Sequence, residues 1–169
     1  SDTGKRTVSD MKTAFFVEPN NIPDEADKLF DRIFVPLFLY EKAHKTIGAE
    51  KCGIAFPPVA LDTELNEITA AAEKVKALGC RTALVTGMWQ IPICKRLGFD
   101  MTGDMRLNIW NSRSAEKLYD MGIIDFIQSC EIGVSRGAAI KSHGRHGVVA
   151  YGRLPLMTLE KCAIRDIAA

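Results

Sequence analysis

The sequence predicts an α/β protein built on a parallel sheet of repeated βα units. Six short apolar segments begin about 23 residues apart on average, a spacing that suits one helix between successive parallel strands. The helical segments between them end at a glycine just before the next strand, as in αβ loops. A complete eight-stranded barrel needs about 250 residues, and this chain has 169. We therefore predict a partial (β/α) barrel of six or seven strands, with an open, doubly wound sheet as the alternative.

The predicted strands are short apolar segments bounded by Gly, Pro, Asn or Asp, residues that interrupt regular structure. They cover residues 32–37, 52–56, 81–86, 104–109, 123–128 and 147–151, with a further short strand at 12–17. Residues 31–169 form the predicted barrel domain. The preceding residues 1–30 are a lead-in that the pattern leaves unassigned, and a Pro-Asn-Asn-Ile-Pro cluster at 19–23 interrupts it.

Helices are predicted between these strands, at residues 40–47, 63–78, 89–97, 112–121 and 135–142. The clearest is 63–78, because its apolar residues share one side of a helix and Gly79 stops it. Those apolar residues are Leu65, Ile68, Ala72, Val75 and Leu78. Ser112 is the candidate N-cap of the helix at 112–121.

Composition excludes several classes of protein. The chain carries 22 Lys and Arg against 21 Asp and Glu, so charge gives no reason to expect binding to nucleic acid. No apolar run is long enough to span a membrane, and the polar residues at 1–6 lead us to expect no signal peptide. The five cysteines contain no CxxC pair and do not suggest a disulfide framework. We expect a cytoplasmic protein in which Cys52, Cys80 and Cys94 are buried thiols.

Polar residues concentrate where predicted strands end, which is where parallel α/β proteins carry their functional groups. Asp104, Arg106 and Asn108 share one face of the predicted strand 104–109 by the period of two. That face either meets a ligand or lies in water on an edge strand. Glu131 follows the strand 123–128, where a carboxylate can act in acid–base chemistry or merely begin a helix.

The last predicted strand ends in Tyr151-Gly152-Arg153, which places a planar guanidinium near the same edge of the sheet. The arginine suits a carboxylate or phosphate group, and a surface ion pair is the alternative. Cys130 lies beside Glu131, but no histidine stands at a spacing that would mark a catalytic partner. No GxGxxG, Walker, HExxH or GxSxG motif occurs.

Three ordered segments at these strand ends resemble the collagenase-like peptidase family U thirty-two. Residues 103–112 (GDMRLNIWNS) are similar to its Gly-Asp-aromatic-x-Leu-Asn-x-aromatic-Asn-Ser segment, and residues 128–132 (QSCEI) to its Ser-Pro-Glu-Leu element, with Cys130 in place of proline. Residues 151–157 (YGRLPLM) match its Tyr-Gly-Arg-x-Pro-Leu-Met signature without a gap. The region 31–99 resembles the family more loosely, and residues 1–30 show no likeness.

The resemblance implies a barrel-like fold and an internal fragment of a longer parent protein, because the family's opening Gly-Ala-Asp-Ala-Val-Tyr segment is absent. Members that bind a 4Fe–4S cluster use four cysteines, and Cys162 stands where the first of them falls. A cluster is therefore an expectation for the parent, and no cofactor is expected in this chain alone. The missing strands would leave sheet edges exposed, so we expect pairing between copies as a homo-oligomer.

The function that the resemblance implies is peptide-bond hydrolysis in the parent, with the chain alone inactive. An iron–sulfur-dependent hydroxylase of RNA bases or of a quinone precursor is the first alternative. A non-catalytic binding or scaffold segment is the second. The expected substrate is a peptide or another small anionic molecule.

We expect the site residues to converge at one end of the sheet. Glu131 would carry the acid–base step, and Asp104 and Asn108 would orient it by hydrogen bonds. Arg153 would anchor an anionic group of the substrate, which Arg106 and Tyr151 would also contact. A purely structural ion-pair network is the alternative for the same residues.

Overall fold

A computed structural model of the chain describes residues 11–155. The described part contains one sheet of seven parallel strands that alternate with helices. The strands are β1 (Thr13–Phe15), β2 (Arg32–Pro36), β3 (Cys52–Ala55), β4 (Thr82–Val85), β5 (Asp100–Gly103), β6 (Ile123–Ile127) and β7 (Arg145–Gly147). The helices are α1 (Ala26–Leu29), α2 (Tyr40–Ile47), α3 (Leu65–Ala77), α4 (Gln90–Leu97), α5 (Ser112–Asp120) and α6 (Val134–Ala138).

The order of the strands decides between the two predicted architectures. Each strand pairs in parallel with the next strand of the chain, from β1 through to β7. A doubly wound sheet contains a point at which this order reverses, and the described sheet has none. Right-handed connections that always step in one direction place their helices on one face. The sheet is a curled half-barrel, so the partial barrel is confirmed and the doubly wound alternative is wrong.

One predicted strand lies in the wrong place. Residues 104–109 are not a strand: β5 occupies Asp100–Gly103, and Met105–Leu107 form a 3₁₀ turn. The ladder with β4 ends where the Asp104 N–H donates to the carbonyl of Val85 at 2.8 Å. The alternating polar residues therefore belong to a loop, and the argument that they share one face of a strand does not hold.

The remaining differences are the short helix α1, which lies in the segment left unassigned, and shifts at the ends of elements. The last strand lies at Arg145–Gly147 instead of 147–151, and the last helix at Val134–Ala138 instead of 135–142. The N-cap of α5 is Asn111 instead of Ser112, since its side-chain oxygen accepts from the Ser114 N–H at 2.9 Å. Gly98 ends α4 with φ at 69°, a left-handed conformation that glycine adopts without strain.

Two apolar layers hold the sheet. The larger lies between the strands and the helices and contains Ile33, Ile54, Ala83 and Ile123, all fully buried. A smaller cluster of Phe34, Ala55 and Leu84 fills the inner, concave face. The three cysteines expected in the core are buried, which confirms that prediction. Burial raises the pKa of Cys52 and of Cys94 to about 12 and that of Cys80 to about 11, so all three remain protonated thiols at neutral pH.

Charged side chains join four strands across the inner face. The Asp125 carboxylate of β6 accepts hydrogen bonds from Nε and Nη2 of Arg145 on β7, at 2.6 and 2.8 Å. Nη1 of Arg32 on β2 lies 3.2 Å from the same carboxylate and donates to the Thr102 hydroxyl of β5 at 2.7 Å. We call these four residues the inner-face cluster. Because β2 and β6 are not neighbours in the sheet, the cluster ties the curled sheet across its concave side.

No helix within residues 11–155 is long and apolar enough to cross a membrane.

Candidate functional site

The loop after β5 places a buried acid next to an arginine. Asp104 follows the strand directly and is 6% exposed, while Arg106 lies in the 3₁₀ turn that comes next. Arg106 Nη1 donates to Asp104 Oδ2 at 2.9 Å, and the arginine side chain keeps about a third of its surface in contact with solvent. The buried carboxylate therefore has a charged hydrogen-bond donor as its partner, and part of the guanidinium group remains accessible to solvent.

The loop after β6 contacts the loop after β5. The Ser129 N–H donates to the carbonyl of Ile109 at 3.2 Å, and Cys130 Sγ lies 3.2 Å from Met105 Sδ. Desolvation and the Asp104 carboxylate both raise the pKa of the Cys130 thiol, which is thus a weak nucleophile at neutral pH. The structure brings together the two polar segments that the sequence singled out and does not activate Cys130.

Asn108 closes the loop after β5. Its φ of 53° is the one positive value among the non-glycine residues that the structure describes, and Asn tolerates this left-handed conformation well. Its side-chain oxygen accepts a hydrogen bond from the Trp110 indole N–H. Asn108 is exposed and its carboxamide already has a partner, so its present role is to shape the loop.

Glu131, Tyr151 and Arg153 lie beyond the ends of β6 and β7 and are exposed, Tyr151 almost completely at 99%. Within residues 11–155 no ion pair joins Glu131 or Arg153 to any partner. Among these site residues, an arginine pairs with a carboxylate at Asp104 and Arg106 alone. Parallel strands end at the same side of the sheet, so all six residues lie on loops that follow that side.

An open cleft of about 300 Å³ lies between the segments that follow β6 and β7. Its lining is about equally polar and apolar, and Gln128, Ser129 and Cys130 supply polar side chains on the β6 side. Ile132, Val134, Val148, Val149 and Leu154 supply the branched apolar side chains. A cleft with this lining can contact both polar and apolar groups of a ligand beside the Cys130 thiol.

Two arrangements of polar side chains were not predicted from the sequence. The fully buried carboxamide of Gln90 accepts from the Thr86 N–H at 2.7 Å and donates to the carbonyl of Pro57 at 2.9 Å, which braces the loops after β3 and β4. The second is the inner-face cluster. A charged residue inside the apolar strand 123–127 requires a partner, and Asp125 was the signal that could have revealed it.

Cys162 and the end of the YGRLPLM segment lie outside the described residues. Within residues 11–155 no group of three or more His, Cys, Asp or Glu side chains is placed to hold a metal ion. The described residues therefore offer no ligand set for an iron–sulfur cluster.

The fold and this set of loops place the chain in the class of parallel βα proteins with a partial-barrel sheet. No protein-family model and no curated protein matches the chain.

Proposed function

We propose that this chain forms the substrate-binding side of a collagenase-like peptidase that hydrolyses peptide bonds in the cytoplasm. The observation that carries the proposal is the contact between the loops after β5 and β6, which brings the Asp104–Arg106 pair next to Cys130. It lies at the end of the sheet where parallel barrels carry their catalytic groups. The resemblance of the same two loops to the peptidase family supports the choice of reaction.

Each residue has a role that its surroundings allow. Glu131 is exposed and without an ion-pair partner among the described residues, so its carboxylate is available to take a proton from an attacking water. Arg106 is anchored by Asp104 and keeps donors free to polarise a peptide carbonyl. Arg153 and Tyr151 extend from the segment after β7 toward an anionic or aromatic part of the substrate.

The test measures cleavage of denatured collagen by the longest natural protein that contains this chain. We expect turnover in the wild type and a loss of about 100-fold or more in Glu131→Gln, the range for removal of a general acid–base group. Glu67→Gln, an exposed glutamate on α3, is the matched control and should keep full activity. Melting temperatures of all three proteins separate a catalytic loss from unfolding.

Two results would contradict the proposal. One is a wild-type protein that cleaves no peptide bond, and the other is full turnover in Glu131→Gln. Stoichiometric iron and sulfide in the protein purified without oxygen, combined with absent proteolysis, would favour a cluster-dependent hydroxylase. A protein inert in both assays would leave a binding or scaffold role.

A further inference from the structure

The inner-face cluster has more positive than negative charge. Arg32 and Arg145 both contact the single carboxylate of Asp125, which is 4% exposed. No other carboxylate of residues 11–155 lies within 4.0 Å of either guanidinium group. One arginine charge is therefore left without a counter-charge, although the Arg32 side chain is only 18% exposed. A mostly buried cation in this position is costly unless an anion joins it.

Each of the two guanidinium groups also has N–H donors that make no hydrogen bond to the described residues. Arg32 uses Nη1 alone, for Asp125 and Thr102, so its Nε and Nη2 have no partner within the described residues. Arg145 uses Nε and Nη2 and keeps Nη1 unengaged by any described residue. The Arg145 side chain is 56% exposed, so a small solute reaches the cluster from solvent.

Apolar neighbours make the position favourable for an anion. The Arg32 guanidinium lies 6.0 Å from the centre of the Phe34 ring, and Phe34 packs with Ala55 and Leu84 on the same inner face. A low-dielectric surface of this kind strengthens the attraction between a guanidinium group and an oxyanion. Charge-assisted hydrogen bonds from two planar guanidinium groups match the geometry of phosphate and carboxylate oxygens.

We propose that the inner-face cluster is an oxyanion-binding site that takes the phosphate or carboxylate group of a small molecule, held between Arg32 and Arg145. The site differs from the loops at Asp104 and Glu131 in both location and residues. Arg32 and Arg145 each begin a strand, whereas Asp104 and Glu131 follow the ends of strands. The proposal therefore does not depend on peptidase activity.

The experiment is a titration of the 169-residue chain with inorganic phosphate, and separately with acetate, followed by the NMR signals of the arginine Nε–H groups. We expect a saturable shift of the Arg32 and Arg145 signals with one of the two anions, which also tells phosphate from carboxylate. Arg145→Gln should weaken the affinity about tenfold or more, since it removes a charged donor. Arg113→Gln, at an exposed position on α5, is the matched control and should leave the affinity unchanged.

Three outcomes would overturn the proposal. The first is the absence of a saturable shift in a folded wild-type chain. The second is an affinity that Arg145→Gln leaves unchanged, and the third is a shift of the Arg113 signal equal to that of Arg32. Should Arg145→Gln fail to fold, the wild-type titration decides through the comparison of the Arg32 and Arg113 signals.

Discussion

Gly53 shows how a single residue limits the packing of the inner face. A methyl group at this position would lie 2.4 Å from Thr82 Oγ1 and 2.7 Å from two atoms of the Phe34 ring. We predict that Gly53→Ala lowers the free energy of unfolding by about 1–3 kcal/mol, the usual cost of overpacking. Urea denaturation measures the change. Gly147→Ala is the control on another strand, where nothing lies within 4 Å of the added methyl group, and an equal loss there would refute the packing argument.

His143 and Glu116 form an exposed pair that should respond to pH. The imidazole Nδ1 and the backbone N–H of His143 both contact the Glu116 carboxylate. The hydrogen bond to Glu116 raises the pKa of His143, and the same bond lowers the pKa of Glu116. The pair therefore links the segment before β7 to α5 through a protonated imidazole.

The directions of the two pKa shifts determine how the stability from this pair changes with pH. The His143 contribution to stability is complete below the ordinary histidine pKa of 6.5 and is lost as pH rises through the raised value. The Glu116 contribution is complete above the ordinary pKa of 4.5 and is lost as pH falls through the lowered one. An NMR titration should place the His143 midpoint above 6.5. Glu116→Gln should lower that midpoint, and Glu67→Gln should not move it.

At the level of strands, Asp125 contacts arginines on two other strands of the sheet. Its carboxylate joins β6 to β2 and β7, and its partner Arg32 reaches β5 through Thr102. We predict that Asp125→Ala lowers the free energy of unfolding by about 3–5 kcal/mol, because it leaves two arginines without their buried partner. Urea denaturation is again the measurement.

The control for Asp125 is a surface ion pair. Glu73 and Arg96 lie 3.3 Å apart with more than half of each side chain exposed. Glu73→Gln should cost no more than about 1 kcal/mol, as exposed pairs do. Equal effects of the two substitutions would show that the inner-face cluster does not hold the strands together.

For the whole molecule, the two edge strands of the sheet in residues 11–155 are the feature with consequences beyond one chain. β1 and β7 end the strand order, so each has one neighbour strand among the described residues. Val17, just past β1, is 62% exposed, and Val148 and Val149 are exposed just past β7. Edge strands flanked by exposed apolar side chains favour pairing with another chain.

We therefore predict that the chain self-associates with rising concentration in sedimentation velocity. Val17→Lys should weaken the association, because a lysine beside an edge strand opposes edge-to-edge pairing. Val59→Lys is the matched control, since Val59 is 61% exposed but follows β3 in the interior of the strand order. A chain that stays monomeric at every concentration, or two variants that behave alike, would contradict the prediction.

Local patterns in the sequence were sufficient to predict which helices and strands exist and in what order most of them follow one another along the chain. Apolar runs and glycine stops predicted β2, β3, β4 and β6 and helices α2 to α5 close to their observed places. These signals are short-range, because a buried strand needs consecutive apolar residues and a helix ends where glycine follows it. The predicted position of β5 was wrong, because polar residues that alternate along a 3₁₀ turn can have the same spacing as polar residues on one face of a strand.

The sequence by itself determined the α/β class, the alternation of strands and helices, the buried thiols and the polar segment that follows β6. The tertiary structure alone decided the sequential strand order, the loop after β5 with its pairing of Asp104 and Arg106, and the inner-face cluster. The physical reason is distance along the chain. Arg32 and Asp125 are 93 residues apart in sequence and meet only when the sheet curls, so no local pattern encodes their contact.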